Sequence, residues 1–465
     1  MNCEERNRLL AGGELDRDDL WPKIDEYESR RYQFRWEFGL ESLPEEPGLI
    51  SVRGPRQYGK STWLEFKLLD TVEKYGAGSC FILNGDEIYS HEEFENKILG
   101  LEAAYPKKAK VKRLFIDEIT SIQNWEKVIK RMIDGGRLRD VLIVTTGSNA
   151  SDLRRGAERL PGRKGRLARN DYVFLPIAYR EYLYTVRGEI GTRKDDDLFG
   201  YLLSGGSPLA MHELGYDEHL NESFLNLVKD WLVGDIVSSG RSRTFLMNLM
   251  RRIYEHGAST VSYTKLAREA GLANNSAALD YIEKLADLYC LLPAMQWDHV
   301  GNIRLAKKPS KMHFINLAVA MAFHPSSPRY LHEVRNMKGR EKAAIYEWAV
   351  AQELWRRMNL NNQRQNKRQV WAEDLAYWAS GEHEIDFVTP DGRFFEVKAG
   401  PASAMEFAWF EGIFPKGKLT VICDTPFESR AVKGVTLHQF LLGEPSELYY
   451  DEDKYKVITY SAATR

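Results

Sequence analysis

The sequence predicts an α/β protein: a parallel sheet wrapped by helices, then a helical stretch, a small helix-and-hairpin unit and a second α/β unit. Three observations carry that expectation. Short apolar runs alternate with helical stretches between residues 49 and 176, the pattern of strands joined by crossover helices. The segment 54-GPRQYGKST-62 lies between the first apolar run and the first helix. The segment 381-GEHEIDFVTPDGRFFEVKAG-400 reads as two strands joined by a Pro-Asp-Gly turn.

A chain of 465 residues is long enough for about three domains. Hydrophobic residues at 43% and aromatic residues at 12% supply several cores. The 65 basic and 67 acidic side chains leave a net charge of −2, which excludes a global polycation but not local basic patches. Cys3, Cys80, Cys290 and Cys423 are scattered, without a CxxC pair, which argues against a zinc site or a disulfide framework. The N-terminus is charged and lacks an apolar signal region, and no run approaches the roughly 18 apolar residues of a membrane span. The expected location is the cytoplasm, with no membrane partner.

The expected organisation has five parts. Residues 1–45 are a charged N-terminal segment containing Trp21, Tyr32, Phe34 and Trp36. Residues 46–180 form the sheet-and-helix core, with strands at LISVRG, GSCFILNGD, LFIDE, VLIVTTGSN and YVFLP and helices at 61–75 and 121–134. Residues 181–243 form a helical lid, broken by Gly-Gly-Ser-Pro at 205–208. Residues 244–328 hold three short helices, a basic hairpin and an apolar strand, and so resemble a winged helix. Its third helix, 274–292, carries Asp280, Glu283 and Asp287, which repel phosphate. Asn274, Asn275 and Ser276, with Arg304, Lys307, Lys308 and Lys311 of the hairpin, are its candidate DNA contacts; packing between domains is the alternative. Residues 329–465 form the second α/β unit.

The stretch Gly54, Pro55, Arg56, Gln57, Tyr58, Gly59, Lys60, Ser61 and Thr62 matches GxxxxGK[ST]. The glycines let the backbone curl so that its N–H groups face phosphate oxygens. Lys60 reaches the β and γ phosphates of ATP, and Ser61 offers a hydroxyl to Mg²⁺. The strand 114-LFIDE-118 then ends in two acids: Asp117 for the Mg²⁺ shell and Glu118 to polarise the attacking water. Ser148 and Asn149, after the strand VLIVTT, either sense the γ-phosphate or cap a helix. The loop 154–169 carries seven basic side chains and one acid. Arg163 there is the candidate arginine finger, supplied in trans within a homo-oligomer; a DNA-facing or merely solvated loop also fits.

In the C-terminal hairpin, Glu396 and Lys398 are two residues apart and share a face, with Asp386 across from them. Carboxylates brought together repel unless a cation joins them, and oxygen ligands suit Mg²⁺ or Mn²⁺. Lys398 would then orient water or stabilise charge. The helix 343-AAIYEWAVAQELWRR-357 offers Glu347 or Glu353 as a third acid. A charged hairpin edge, with Glu347 a surface acid, is the plainer alternative.

The segments GPRQYGKST, LFIDEITSIQNWEKVIKRMID, TTGSNASDL, LPGR, FLPIAYREYL, YLLSGGSPLAM, IYEWAVAQEL, EIDFV and FFEVK follow in this order over about residues 48–400. Together they resemble a family of archaeal and bacterial P-loop ATPases of the AAA+ superfamily, whose C-terminal domain is similar to the PD-(D/E)XK nuclease (restriction-endonuclease-like) fold. The resemblance implies nucleotide contacts from Lys60, Ser61, Asp117 and Glu118, a sensor at Ser148 or Asn149, Arg163 near the γ-phosphate and Pro208 near the adenine. EIDFV and FFEVK keep the family's nuclease motif intact with Asp386, Glu396 and Lys398, and the expected metal ligands there are Glu347, Asp386 and Glu396. Tyr58 and Tyr179 depart from the family pattern. The expected function is a Mg²⁺-dependent ATPase coupled to binding and cleaving DNA, with branched or forked forms the attractive substrates. The alternative is an ATP-driven switch on DNA or protein that holds without cutting.

Overall fold

The computed structural model describes residues 1–17, 19–147, 166–188, 196–370 and 374–443. Five parallel strands, β1 (Gly48–Arg53), β2 (Cys80–Asn84), β3 (Arg113–Asp117), β4 (Leu142–Gly147) and β5 (Asp171–Val173), form the first sheet in the order β2-β3-β4-β1-β5. The strands are apolar nearly throughout because both faces are covered. Leu49, Leu83, Leu114, Ile116 and Ile143 pack on one side against Phe94, Ile98, Val128 and Ile129 of the helices His91–Ala104 and Trp125–Asp134. Ile50, Val52, Ile82, Phe115 and Val144 pack on the other against Leu64, Leu68 and Val72 of the helix Lys60–Tyr75.

The N-terminal segment is bound to this core. The Asn7 amide pairs with the backbone of Ile82 at the free edge of β2, donating to its carbonyl at 2.7 Å and accepting its N–H at 2.8 Å. Glu65, buried on the helix Lys60–Tyr75, accepts the N–H groups of Lys23 and Ile24 at 2.7 and 2.8 Å and so caps the helix Pro22–Glu28.

Four helices, Tyr179–Arg187, Asp197–Ser204, Pro208–Asp217 and Glu222–Ser238, follow, largely within residues 181–243 where a helical lid is expected. The next unit runs helix Arg243–Glu255, β6 (Thr260–Val261), helix Tyr263–Ala270, helix Asn275–Asp287, β7 (Leu291–Asp298), β8 (Ile303–Arg304) and β9 (Ser310–Phe314). Strands β10 (Ala376–Ser380), β11 (His383–Val388), β12 (Phe394–Val397), β13 (Leu419–Ile422), β14 (Phe427–Glu428) and β15 (Val432–Val435) follow. Expected as separate units, these two halves share one ten-stranded mixed sheet, β14-β15-β13-β12-β11-β10-β7-β9-β6, with β8 on β7. The join is a two-residue parallel pairing of Ala376 and Tyr377 with Met295 and Gln296.

The 26-residue helix Gly339–Arg364 crosses β9 and β12 and buries Trp348 and Trp355. Near its end, the Gln363 amide donates to the carbonyls of Phe38 (2.7 Å) and Val173 (3.1 Å) and accepts the Val173 N–H. The C-terminal half is thereby fastened to the free edge of β5. Among the described residues, no helix is long and apolar enough to cross a membrane.

Candidate nucleotide site and C-terminal acid cluster

The phosphate loop leaves the C-terminal end of β1 and enters the helix Lys60–Tyr75 through Gly59, whose φ of 96° favours glycine. A side chain at Gly59 would also strike Trp36, since an ideal Cβ there lies 2.5 Å from the indole Cζ2. Trp36 backs the loop and donates its indole N–H to the Tyr58 carbonyl at 2.8 Å. Lys60 is buried and donates to the carbonyls of Gly54 (3.0 Å) and Pro55 (2.8 Å). Burial pulls its pKa down, while Glu118 and Asp117 oppose that.

Because β4 lies between β1 and β3, the acids of β3 face the loop across a strand that contributes its own hydroxyl. Thr146 of β4 donates to Asp117 and accepts the N–H of Glu118 at 3.2 Å. The Asp117 carboxyl is raised by burial, and the hydrogen bonds from Thr146 and Ser61 partly offset this. Glu118 has φ 46° and leads directly into a tight turn. Lys60, Ser61, Asp117 and Glu118 thus meet at one end of the sheet. Thr146 is a member that sequence reasoning passed over; the polar end of TTGSN pointed to it, two residues before the pair chosen as sensors. Ser148, Asn149 and Arg163 lie outside the described residues.

The lid closes one side of this loop. Arg56 forms a two-pronged ion pair with Asp235 of the helix Glu222–Ser238, at 2.9 and 3.2 Å. Phe224, Val228 and Trp231 of that helix, with Ser207, Asn316 and Ala318, line a slot whose other wall is Arg56, Gln57 and Tyr58. Pro208 starts the next helix beside Ser207. An open cleft of about 520 Å³ adjoins the slot, between Arg56, Thr120, Ser121 and the lid helix. Tyr58, expected at the nucleotide as a member of the loop, is buried instead beneath it. Its hydroxyl lies 3.1 Å from the Gly205 carbonyl and 3.0 Å from Asn316 Oδ1.

The C-terminal hairpin pairs β11 with β12 around the turn at Thr389–Gly392, where Gly392 has φ 77°. Asp386, Glu396 and Glu347 are all buried and close together. The Asp386 N–H donates to Glu396 at 3.1 Å, the Val397 N–H donates to Asp386 at 2.7 Å, and Lys398 donates to Glu396 at 2.6 Å. Lys311 of β9 also enters. Its ammonium pairs with Asp386, with Glu384 at 2.6 Å and with Glu347 at 3.4 Å. Burial works against that ammonium, but Asp386, Glu347 and Glu384 together hold its pKa well above the usual lysine value. Burial pushes Glu347 up, against the pull of Lys311. Burial likewise pushes Glu396 up, with Asp386 adding to it.

Two expectations are corrected. Lys311 is not a DNA-facing cation of the hairpin: it is 1% exposed. Glu353 is not part of the cluster, because Arg356 (2.7 and 2.8 Å) and Arg357 (2.6 Å) take its carboxylate. The acids do not fit a divalent ion in this arrangement. Their oxygens already engage an ammonium and backbone N–H groups, and among the described residues no group of three or more His, Cys, Asp or Glu is placed to hold a metal. In the helix-and-hairpin unit, Asn274 spends its side chain on capping, accepting the Ala277 N–H at 2.9 Å, and Asp280 pairs with Arg241. Lys307 and Lys308 are exposed.

The glycine-bent loop, the acids on β3 and the inserted β4 define a P-loop nucleotide-binding domain. Residues 46–183 match the family described as AAA domain, and this part of the chain is similar to that family. An uncharacterized protein of Methanocaldococcus jannaschii is 26% identical over 198 residues, 39% of this chain. The chain spans 42% of that relative's length. Among solved structures, RuvB of Thermotoga maritima is 15% identical, with 56% of this chain and 85% of that one covered and a TM-score of 0.30. Orc1 of Aeropyrum pernix in complex with DNA is 13% identical, with 69% and 91% covered and a TM-score of 0.31. AMPPCP-bound DnaA of Aquifex aeolicus is 14% identical, with 53% and 84% covered and a TM-score of 0.27.

Proposed function

We propose that this chain is a Mg²⁺-dependent ATP hydrolase whose nucleotide state is passed through the lid to a DNA-binding C-terminal half. The observation that carries it is the meeting of Lys60, Ser61, Asp117, Glu118 and Thr146 at one end of the first sheet. The donor set fits Mg²⁺: a hydroxyl from Ser61 and a carboxylate from Asp117, which Thr146 aims. Bound there, Mg²⁺ supplies charge neutralisation at the phosphates. Lys60 leaves its loop carbonyls for phosphate oxygens, and Glu118 orients the attacking water. Trp231, which borders both the slot and the open cleft, would face the adenine, with Pro208 near it. Ser148 or Asn149 would sense the γ-phosphate, and Arg163 of a neighbouring copy would complete the site.

The DNA half of the reading rests on the helix–strand–helix–helix–hairpin order, which resembles a winged helix, and on the exposed cations Lys307 and Lys308. Phosphate release by wild type, Lys60→Ala and Glu118→Gln tests the first half. DNA binding across a salt series, compared with a Lys307→Ala/Lys308→Ala variant, tests the second. The variant should bind more weakly and with a shallower salt slope. ATP turnover with no affinity for any DNA would sink that half.

For the C-terminal domain two readings were open: cutting through a metal at Glu347, Asp386 and Glu396 with Lys398, or holding. The Lys311 ammonium among those acids favours holding. A cleavage assay on single-stranded, duplex and forked DNA with Mg²⁺ or Mn²⁺ decides it; cutting that Asp386→Ala abolishes would overturn the holding reading.

A further inference from the structure

Charged groups are expensive to bury unless they are paired and hydrogen-bonded. Lys311 is 1% exposed, yet its ammonium sits among three carboxylates. Those carboxylates come from separate elements: Glu347 from the helix Gly339–Arg364, and Glu384 and Asp386 from β11. Lys311 itself comes from β9, at the far side of the short β7–β10 join. The remaining polar groups are engaged as well. Asp386 accepts from Val397, and Glu396 accepts from Asp386 and Lys398. A second buried group faces the same place. His313, two residues along β9, has Nδ1 3.4 Å from Glu347 and no hydrogen bond at either ring nitrogen.

We propose that Lys311 is the resident cation of this acid cluster, standing where a nuclease would carry a divalent metal. It thereby ties the helix-and-hairpin unit to the C-terminal hairpin without a metal. The inference deepens the holding reading above and rests on it for its biological meaning. It commits to a specific chemistry: the wild-type cluster takes no divalent cation, and removing the amine, with room left behind, creates a site for one. Glu347 and Asp386, which the ammonium now bridges, would close on that ion.

The test uses the full chain without nucleotide and Mn²⁺ as the probe, followed by calorimetry and by thermal unfolding. Wild type should show no Mn²⁺ binding that Asp386→Ala removes. Lys311→Ala should lower Tm by about 5 °C or more and gain Mn²⁺ binding that a further Asp386→Ala change removes, with Mn²⁺ restoring part of the Tm. Lys311→Met fills the space without charge; it should lose Tm and gain no Mn²⁺. Stoichiometric Mn²⁺ binding by wild type that Asp386→Ala abolishes would overturn the proposal. So would a folded Lys311→Ala that binds Mn²⁺ no better than wild type. If Lys311→Ala does not fold, the wild-type and Asp386→Ala pair decides alone. A DNA-cutting wild type that still takes no Mn²⁺ at Asp386 would sink the holding reading and leave the role of Lys311 standing.

Discussion

The Tyr58 hydroxyl, inside the phosphate loop, lies 3.0 Å from Asn316 Oδ1, 258 residues further along the chain. Asn316 in turn caps the helix Leu317–Ala322, accepting the Val319 N–H at 3.2 Å. The loop that meets phosphate is therefore tied to the segment directly after β9. The same hydroxyl donates to the Gly205 carbonyl at 3.1 Å, so a shift of the loop should reach both the start of that helix and the segment before Pro208. Tyr58→Phe keeps the ring and removes the hydroxyl. It should cost about 1–2 kcal/mol in denaturant unfolding, because Asn316 is left with one partner fewer in a dry site. ATP turnover should survive, while the effect of nucleotide on DNA affinity should fall. Unchanged coupling would place the relay elsewhere.

Catalytic residues should separate by role. Glu118→Gln should retain ATP affinity and lose turnover by about 10²–10⁴-fold, the range of a positioned base. Thr146→Val should lose about tenfold, since it removes one hydrogen bond that aims Asp117. Single-turnover hydrolysis together with a nucleotide-binding titration distinguishes these. Equal loss of binding in both variants would contradict the assignment.

Stability should also depend on pH through Glu181. This carboxyl lies in the helix Tyr179–Arg187 and accepts the Arg35 N–H at 2.9 Å and the Thr185 hydroxyl at 3.2 Å. Burial raises it from 4.5 to about 7. The folded state holds this proton more tightly than the unfolded chain. Its contribution is therefore full below pH 4.5 and is lost as the pH rises through 7. Glu181→Gln keeps an acceptor and cannot ionise. Its Tm relative to wild type should rise from pH 5 to pH 8; a constant difference would show that the group is not the source.

Much of the nucleotide site is legible in the sequence because its signals are local. GxxxxGK[ST] and LFIDE each place their side chains by one strand end and one helix start. The alternation of apolar runs gives a parallel sheet, and the loop found after LISVR follows β1 as expected. What is not legible depends on pairing between distant segments. In SKMHF, Lys311 and His313 share a face of a strand, but nothing nearby says which sheet that strand joins. Only the β7–β10 contact turns them toward Asp386. Tyr58 fails for the same reason: its partners, Gly205 and Asn316, come from the lid and from the segment after β9. Glu353 and Glu347 are alike in sequence, six residues apart. Arg356 and Arg357, one turn from Glu353, claim it, and that local pairing was readable in WRR.

Gln363 should be a strong stability position. Its amide serves Phe38 and both backbone groups of Val173. Gln363→Ala leaves those groups unpaired in a buried place and should cost about 2–4 kcal/mol. Chemical denaturation with tryptophan fluorescence reads this out. A loss below the cost of one hydrogen bond would mean that water replaces the amide.

That same amide has a bearing on how the protein avoids clumping. β5 is the outermost strand of its sheet, and an uncovered outer strand is a template for another chain. Gln363 pairs with Val173 as a neighbouring strand would, and Asn7 does the same for β2 at the opposite side. Both rims of the nucleotide-binding sheet are therefore sealed by side-chain amides borrowed from outside the domain. Cutting the chain after the lid would unseal one rim, and the isolated domain should stick to itself strand to strand.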